Sequence, residues 1–377
     1  MSERLFLDYN AGAPLLPEAR AAALQTMQIY GNPNGLHEES RHASAVILRA
    51  REQVARLINA HPEEIFFFPS ASLANYFLVT SFARVRASPF EHPSIIKSIS
   101  ESDSVRPTLV SHMLANNETG EIYNIEHFYS NYPSAKKHSD LSQAVGKIPI
   151  DIQKLNLDFA TISSQKIGGG KGSAALYIRG GDSALKEVKP LKYRLYALGT
   201  PNVVAIASFG AAADKAYESA VRFNTKIQPL VAALHARIQS EIPNSVINTP
   251  VRSLPNTLNV SFPGAEGESI MLMLDARGVA VSTGSACTTT DGAPSHVLMA
   301  MYQDKSEAEA AELAHSSIRF SFSPDSPSDS VERVMAVLPG VIAQLRGFST
   351  ANPAANPTAN PTASTNLNTN APSTEAI

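Results

Sequence analysis

The segment Leu157-Asp-Phe-Ala-Thr-Ile-Ser-Ser-Gln-Lys166, followed by Ile167-Gly-Gly-Gly-Lys-Gly172, decides the fold class. Its apolar run predicts a buried strand, and Lys166 comes directly after the end of that strand, beside flexible glycine-rich backbone. Ligands of α/β sheets bind at the carboxyl ends of strands. Lys166 is therefore a candidate for ligand chemistry, although a lysine without such a context usually lies on the surface. The glycines do not form a phosphate-binding P-loop, because no Ser or Thr follows Lys171.

Short apolar runs alternate with helical patterns over the first half of the chain, which predicts an α/β sandwich with a mainly parallel sheet. The predicted elements here are helices over Pro17–Tyr30 and Glu38–Ala60 and strands over Glu64–Phe68, Thr108–Ala115, Leu157–Ser163 and Ala174–Ile178. After Val203 the pattern changes to a long Ala-rich helix that reaches toward Ile242. The elements expected beyond it are strands near Thr257–Phe262 and Ser317–Phe322 and helices near Glu268–Arg277 and Ser328–Leu345.

These patterns predict two lobes and a tail. We expect a large domain over residues 16–207 and a smaller α+β domain over residues 208–346, with segment 1–15 packed against the small one. Residues 347–377 are a near-repeat of Ala, Asn, Pro and Thr with almost nothing to bury, which predicts a disordered tail.

Composition narrows the class of function. The 377 residues are 44% apolar and 17% charged, and no apolar run approaches the roughly 20 residues of a membrane helix. Acids and a base within Met1–Asp8 argue against a secretory signal, so a cytoplasmic protein is expected. The net charge of −3 gives no reason to expect nucleic acid or a membrane surface as a partner. The single cysteine, Cys287, excludes an internal disulfide and a four-cysteine metal site, and no metal site is predicted.

The chain contains the four groups that pyridoxal phosphate chemistry requires: a lysine for the aldehyde, an acid for the pyridine nitrogen, donors for the phosphate, and a group over the ring. Lys136-Lys-His-Ser-Asp-Leu-Ser-Gln-Ala-Val-Gly146 precedes the Lys166 segment. In it, Asp140 could pair with the pyridine nitrogen and Gln143 could bond the ring hydroxyl.

The spacing His138-x-Asp140-x-x-Gln143-x-x-Gly146-Lys-Ile-Pro-Ile-Asp, followed by Asp158-Phe and Ser163-x-x-Lys166, closely resembles the class V aminotransferase family, specifically its cysteine desulfurases of the NifS/IscS type. The resemblance extends from about Leu5 to Leu345. It implies the fold of a fold-type I pyridoxal phosphate enzyme, with a large lobe built on a mainly parallel sheet and a smaller α+β lobe.

The resemblance also implies roles for individual residues. Lys166 would bind the aldehyde of pyridoxal 5′-phosphate, Asp140 would keep the pyridine nitrogen protonated, and His92 would stack on the ring and shuttle protons. The other cofactor ligands that the resemblance implies are Ala71, Ser72, Asn117, Gln143, Ser163, Gln165 and Thr200. Thr200 matches a threonine that reaches the phosphate of the neighbouring subunit, which implies a homodimer. Without the resemblance, His92 reads as a surface histidine at a helix start and Ser72 as a simple helix cap.

A second group of motifs concerns sulfur. Ser282-Thr-Gly-Ser-Ala-Cys-Thr288 resembles the family's loop around its nucleophilic cysteine, and Ala314-His-Ser-Ser-Ile-Arg-Phe-Ser321 contains Arg319, which would bind the substrate carboxylate together with Asn117. The implied activity converts L-cysteine to L-alanine and leaves the sulfur on Cys287 as a persulfide. A sulfur acceptor protein such as an iron–sulfur scaffold would then receive it, and Cys287 could be a transient iron–sulfur ligand. Without this context, a lone cysteine is more often a buried apolar residue.

Some positions depart from the family pattern. Gln165 stands in place of the usual histidine, Ala197 in place of an arginine, and Leu73 in place of a glutamate. These changes leave open a selenocysteine lyase, another class V aminotransferase-family enzyme, or a weakened homologue that acts as a binding protein. Transamination needs no thiol, so the Ser-Ala-Cys loop disfavours an aminotransferase. Retention of Lys166, Asp140, Cys287 and Arg319 together disfavours a non-catalytic scaffold.

Overall fold

The computed structural model describes residues 4–100, 106–186, 188–196, 198–283 and 293–351. Cys287 and the chain beyond Ala351 lie outside the described residues. The strands are β1 (Leu5–Phe6), β2 (Ile65–Phe68), β3 (Val85–Ala87), β4 (Leu109–Ser111), β5 (Lys136–Asp140), β6 (Phe159–Ser163), β7 (Ala174–Ile178), β8 (Val246–Ile247), β9 (Thr257–Ser261), β10 (Val279–Ala280) and β11 (Ser317–Ser321).

Helices occur from Pro17 to Ala351. They are α1 (Pro17–Thr26), α2 (Glu38–Ile58), α3 (Ala71–Val79), α4 (Pro93–Ile96), α5 (Ile125–Ser130), α6 (Ile152–Leu155), α7 (Gly181–Leu185), α8 (Lys189–Tyr196), α9 (Val203–Arg222), α10 (Gln228–Glu241), α11 (Gly267–Asp275), α12 (His296–Met301), α13 (Glu307–His315), α14 (Ser330–Met335) and α15 (Leu338–Ala351). No helix among the described residues combines the length and apolar character needed to cross a membrane.

A six-stranded sheet forms the large lobe, in the order β2-β7-β6-β5-β4-β3. Strands β3 to β6 run parallel, and β7 is antiparallel to both of its neighbours, β2 and β6. The parallel arrangement places the carboxyl ends of β5 and β6, at Asp140 and Ser163, at the same edge. The predicted α/β fold with a mainly parallel sheet is confirmed.

Both faces of this sheet are covered, because side chains on successive strand residues point to opposite faces. On β6 and β7, Ile162 and Tyr177 join a core beneath α1, α2 and α9, whereas Phe159 and Leu176 join a second core beneath α3, α7 and α8. A sheet buried on both faces explains why these strands are apolar throughout.

The smaller lobe contains the antiparallel sheet β11-β9-β8 and its own apolar core, built with α10, α11, α14 and α15. The chain's first strand belongs here: β1 pairs in parallel with β10, and Leu5 and Leu7 are buried in this core. Segment 4–10 therefore passes from the small lobe toward the edge of the large sheet, which carries Asn10 to the site described below.

Two predicted helices differ from the observed ones. The helix after Val203 is continuous but includes a π-helical stretch, Phe223–Ile227, between α9 and α10. The helix predicted near Ser328–Leu345 is two helices, because Pro339 lacks the backbone N–H that a continuous helix would donate to the carbonyl oxygen of Met335, where the first of them ends. The second of them continues to Ala351, past Gly347, where the low-complexity composition begins.

Candidate functional site

A cavity of about 390 Å³ lies at the carboxyl edge of the large sheet, where the two lobes meet. Most of the predicted site residues line it: Ala71, Ser72, His92, Asn117, Asp140, Gln143, Ser163, Gln165, Lys166 and Arg319. These residues come from six segments that are far apart in sequence: the starts of α3 and α4, the loop after β4, the ends of β5 and β6, and the middle of β11. The fold therefore brings together the groups that the sequence motifs selected.

Lys166 lies in the 3₁₀ turn Ser164–Lys166, directly after β6. Its Nζ donates hydrogen bonds to the carbonyl oxygens of Asn10 at 2.6 Å and of Ala11 at 2.9 Å. The following Gly168 has a φ of 82°, and a Cβ there would lie 2.6 Å from Cγ of Leu16. The glycine is thus required by a left-handed turn and a close contact, and it fixes the backbone that presents the amine to the cavity.

Asp140 ends β5 and is 8% exposed. One carboxylate oxygen, Oδ1, accepts from the backbone N–H of Ser142 at 2.9 Å, and Oδ2 accepts from Nδ2 of Asn75 at 3.0 Å. These two donors, one to each oxygen, fix the orientation of the carboxylate. The group is therefore suited to hold a cation such as a protonated pyridine nitrogen.

His92 caps α4 and faces the same cavity. Its Nδ1 accepts from the backbone N–H of Ser94 at 3.1 Å and lies 2.8 Å from Oγ of Ser94. Burial lowers the pKa of His92, opposed by the negative charge of Asp140. Because Nδ1 is an acceptor, the neutral ring carries its proton on Nε2, which has no hydrogen-bond partner among the described residues.

The start of α3 forms the polar end of the cavity. Ser70 is the N-cap, and its Oγ accepts from the backbone N–H of Leu73. This leaves the N–H groups of Ala71 and Ser72 without a partner in the described part of the chain, as expected at a helix N-terminus. With the hydroxyl of Ser72 and the nearby Ser163 and Gln165, these donors suit a phosphate group.

Arg319, on β11, is almost fully buried. Its Nη1 donates to the carbonyl oxygen of Asn117 at 2.9 Å, and its Nη2 pairs with Oδ1 of Asp8 at 2.6 Å. Nε has no partner among the described residues. Five N–H groups serve two contacts, so donors remain for a carboxylate.

Four buried residues that the motifs did not single out complete this site. Asn10 accepts three hydrogen bonds. Its backbone carbonyl oxygen accepts from Nζ of Lys166 and from Nε2 of Gln143. Its side-chain Oδ1 accepts from Nζ of Lys147 at 2.7 Å. Lys147 also donates to Oε1 of Gln143 at 2.6 Å, and burial lowers its pKa well below the ordinary value. Glu118 accepts from Oγ of Ser295, and burial raises its pKa to about 7, opposed by Ser295 and Arg319.

Two further residues of the site, Asn75 and Asp8, are only weakly indicated by the sequence. Asn75 is a polar residue between buried Ala74 and Leu78 on a helix face, and Asp8 follows an apolar strand. Such exceptions to an apolar pattern mark a buried polar contact without naming its partner.

Two predicted residues lie elsewhere. Thr200 is exposed and lines a separate cavity of about 350 Å³, which shares Pro69 and Gly172 with the first. Cys287 falls within residues 284–292, outside the described residues. Its predicted role as nucleophile, and as a transient iron–sulfur ligand, stays a prediction. No cluster of potential metal ligands occurs among the residues that the structure describes.

The donor set fits pyridoxal 5′-phosphate. An amine, a carboxylate, an imidazole and a helix N-terminus line one cavity, and buried hydroxyls of Ser142 and Ser173 in its wall have no partner among the described residues. Unpaired buried hydroxyls cost free energy unless a further group bonds them. Lys166, Asp140 and the start of α3 would hold the aldehyde, the ring nitrogen and the phosphate.

Comparison with known proteins identifies the family. Residues 5–105 and 91–334 match the protein family described as aminotransferase class-V. The chain belongs to the class V aminotransferase family. Members of this family use pyridoxal phosphate.

Among the relatives of this class V protein are cysteine desulfurases. It is 31% identical to the cysteine desulfurase of Gluconacetobacter diazotrophicus, over 92% of this chain and 95% of that protein. It is 30% identical to the cysteine desulfurase NifS of Azotobacter vinelandii, over 92% of this chain and 94% of the relative. The crystal structure of a NifS-like protein from Rickettsia africae superposes with a TM-score of 0.76 at 29% identity, covering 90% of this chain and all of the other. The predicted family resemblance is confirmed.

Proposed function

We propose that this protein is a pyridoxal phosphate-dependent cysteine desulfurase, which converts L-cysteine to L-alanine and transfers the sulfur to Cys287. The observation that carries the proposal is the shared cavity of Lys166, Asp140, His92 and Arg319. A cofactor site and a carboxylate site in one cavity suit an amino-acid substrate. Similarity to desulfurases over more than nine tenths of the chain favours cysteine among amino acids.

When bound, the cofactor would supply an electron sink for the substrate's α carbon. The protein's own residues set the conditions for this. Lys166 would hold the aldehyde, and Asp140, with its two donors, would keep a proton on the ring nitrogen. His92 presents Nε2–H toward the cavity, where a proton is needed near the substrate.

Arg319 would bind the substrate carboxylate. Its contacts to Asp8 and Asn117 fix the guanidinium plane, while Nε–H and one hydrogen on each terminal nitrogen stay available. A planar guanidinium binds a carboxylate through two parallel hydrogen bonds, which orients the amino acid as well as holding it.

The sulfur step would take place at Cys287. In net terms, the carbon–sulfur bond of cysteine breaks, a sulfur–sulfur bond forms at the Cys287 thiol, and the substrate's β carbon gains a proton to become the methyl group of alanine. One thiol and one cysteine become one persulfide and one alanine, so no external oxidant or reductant is needed. Small residues around Cys287 suit access to a thiolate.

Two partners are part of the proposal. Thr200 is exposed and lines the separate cavity, and we propose that it completes the site of a second subunit in a homodimer. The persulfide would be passed to a sulfur acceptor protein, such as a scaffold for iron–sulfur cluster assembly.

The test compares wild-type protein with Cys287→Ser, both loaded with pyridoxal phosphate and given L-cysteine. The serine variant is expected to change the visible spectrum of the cofactor when cysteine binds, but to form no persulfide and release almost no alanine. A hydroxyl is barely ionised near neutral pH, whereas a thiol is already a few per cent thiolate. Mass spectrometry of the wild type should find one added sulfur on the peptide that contains Cys287.

The outcomes separate the alternatives. Desulfuration by Cys287→Ser at the wild-type rate would overturn the proposed role of the thiol. Turnover of selenocysteine but not of cysteine would indicate a selenocysteine lyase. Exchange of the amino group with pyruvate or another keto acid, without formation of a persulfide, would indicate another class V enzyme. If wild-type protein binds no cofactor, a binding role on the same fold would replace the enzyme.

A further inference from the structure

Asn75 connects two groups that are expected to contact the cofactor ring, Asp140 at the ring nitrogen and His92 over the ring face. It lies on α3 and is 1% exposed. Its Nδ2 donates to Oδ2 of Asp140 at 3.0 Å and to Oγ of Ser94 at 3.1 Å. Oγ of Ser94 in turn lies 2.8 Å from Nδ1 of His92. A single buried amide thus joins the acid at the ring nitrogen to the ring-facing histidine.

The directions of these hydrogen bonds are fixed by chemistry. A carboxylate only accepts, so the atom of Asn75 that faces Asp140 must be the amide nitrogen. Ser94 Oγ accepts the second hydrogen of that nitrogen, and therefore its own hydrogen is free to point at Nδ1 of His92. Nδ1 of His92 also accepts a hydrogen bond from the backbone N–H of Ser94. Both donors oppose a proton on Nδ1 and keep it on Nε2.

The oxygen of Asn75 has a different environment. Oδ1 is buried and has no hydrogen-bond partner among the described residues. An unpaired buried acceptor costs free energy that a leucine, which has the same branching but no polar atom, would avoid. The residue's own stability therefore does not account for an amide here, whereas its two donated hydrogen bonds do.

We propose that Asn75 is a positioning residue, which holds the Asp140 carboxylate aimed at the ring nitrogen and, through Ser94, fixes the orientation of His92. The inference rests on the proposed roles of Asp140 and His92 in the cofactor site. The side chain at position 75 must donate hydrogen bonds, and a side chain that only accepts them cannot replace it.

Three variants test this by cofactor affinity, measured by spectroscopic titration of the cofactor-free protein across pH 6 to 8 without cysteine. Asn75→Leu removes both donors and keeps the branched shape of the side chain, and binding of pyridoxal phosphate should weaken about ten-fold at every pH, as for a lost hydrogen bond to a charged group. If that variant does not fold, Asn75→Ala removes the same donors and takes its place.

Asn75→Asp gives the discriminating result. Its new carboxyl group faces Asp140, and two adjacent carboxyl groups resist ionising together. At low pH the shared proton restores one hydrogen bond, so affinity relative to the wild type should be best near pH 6 and fall by about ten-fold toward pH 8. A residue that merely fills space would give a loss independent of pH.

Ser94→Ala is the matched control, because it breaks the link to His92 and leaves the Asn75–Asp140 contact intact. Its cofactor affinity should stay within about three-fold of the wild type, the range of one neutral hydrogen bond, while the ring nitrogen NMR signals of His92 shift. His112 is an internal reference, since its Nδ1 contacts the carbonyl oxygen of Met113 and its ring therefore carries its proton on Nδ1.

Wild-type affinity in Asn75→Leu, or a pH-independent loss in Asn75→Asp, would overturn the inference. The assay contains no cysteine, so neither result bears on the desulfurase activity. If the wild-type protein itself bound no cofactor, the proposed function would fail, and this inference would fall with it.

Discussion

Glu118→Gln is expected to make the protein more stable than the wild type at alkaline pH but not at acidic pH. Glu118 is 4% exposed, and burial raises its pKa from the ordinary 4.5 to about 7. The folded protein therefore binds this proton more tightly than the unfolded chain does. The resulting stabilisation is complete below pH 4.5 and is lost as the pH rises through about 7.

The magnitude follows from the two pKa values. Between pH 5 and pH 8, Glu118 should lower the free energy of unfolding of the wild type by about 2.5 kcal/mol relative to the glutamine variant. Glutamine is isosteric, and its carbonyl oxygen still accepts from Oγ of Ser295. Glu91 is also buried, with a pKa raised to about 8, but it is present in both proteins and its effect cancels in the difference.

Urea unfolding of the cofactor-free protein at several pH values measures this difference. The control is Glu126→Gln, which makes the same substitution at an exposed glutamate in the first turn of α5. A constant difference between the wild type and Glu118→Gln from pH 5 to pH 8 would refute the reasoning, because it would mean that Glu118 ionises as readily in the folded protein as in the unfolded chain.

Two further predictions concern the cofactor lysine and the oligomeric state. After borohydride reduction of the cofactor-loaded protein, the reduced cofactor should be found on the peptide that contains Lys166, and it should be absent from Lys166→Ala. The control is Lys171→Ala, which removes a lysine of the same cavity and should keep the reduced cofactor. Reduced cofactor on Lys171 in the wild type would show that the wrong lysine was named. Sedimentation should show a dimer. Mixing inactive Thr200→Ala with inactive Lys166→Ala should restore activity, because each mixed dimer contains one intact site. A fully active monomer would exclude completion of the site by Thr200.

The sequence by itself determined the sheet and the position of the lysine. Strands β6 and β7 are apolar on both faces because helices cover both sides of the sheet, and that burial is visible in composition. A lysine at the end of such a strand must lie at the sheet's carboxyl edge. The motif from His138 to Lys166 then indicated the family without reference to any contact.

Strand β5 shows why other elements were not predictable. Lys136–Asp140 is polar and carries no alternating apolar pattern, yet its last three residues are buried. His138 is compatible with burial only because Nδ1 lies 2.8 Å from Oγ of Ser111 and Nε2 lies 3.1 Å from Oγ1 of Thr161. Hydrogen bonds to neighbouring strands remove the cost of burial, and periodicity does not record them.

The site's supporting residues depend on tertiary structure in the same way. Asn10, Asn75 and Asp8 act through partners that are 19 to 311 residues away in sequence. Secondary-structure propensity depends on neighbours along the chain. It therefore predicts whether a residue lies on a strand or a helix, but it does not predict which atom across the cavity forms a hydrogen bond with its side chain. The sequence decided which chemical groups are present, and the crossing of segment 4–10 between the lobes decided how those groups are held.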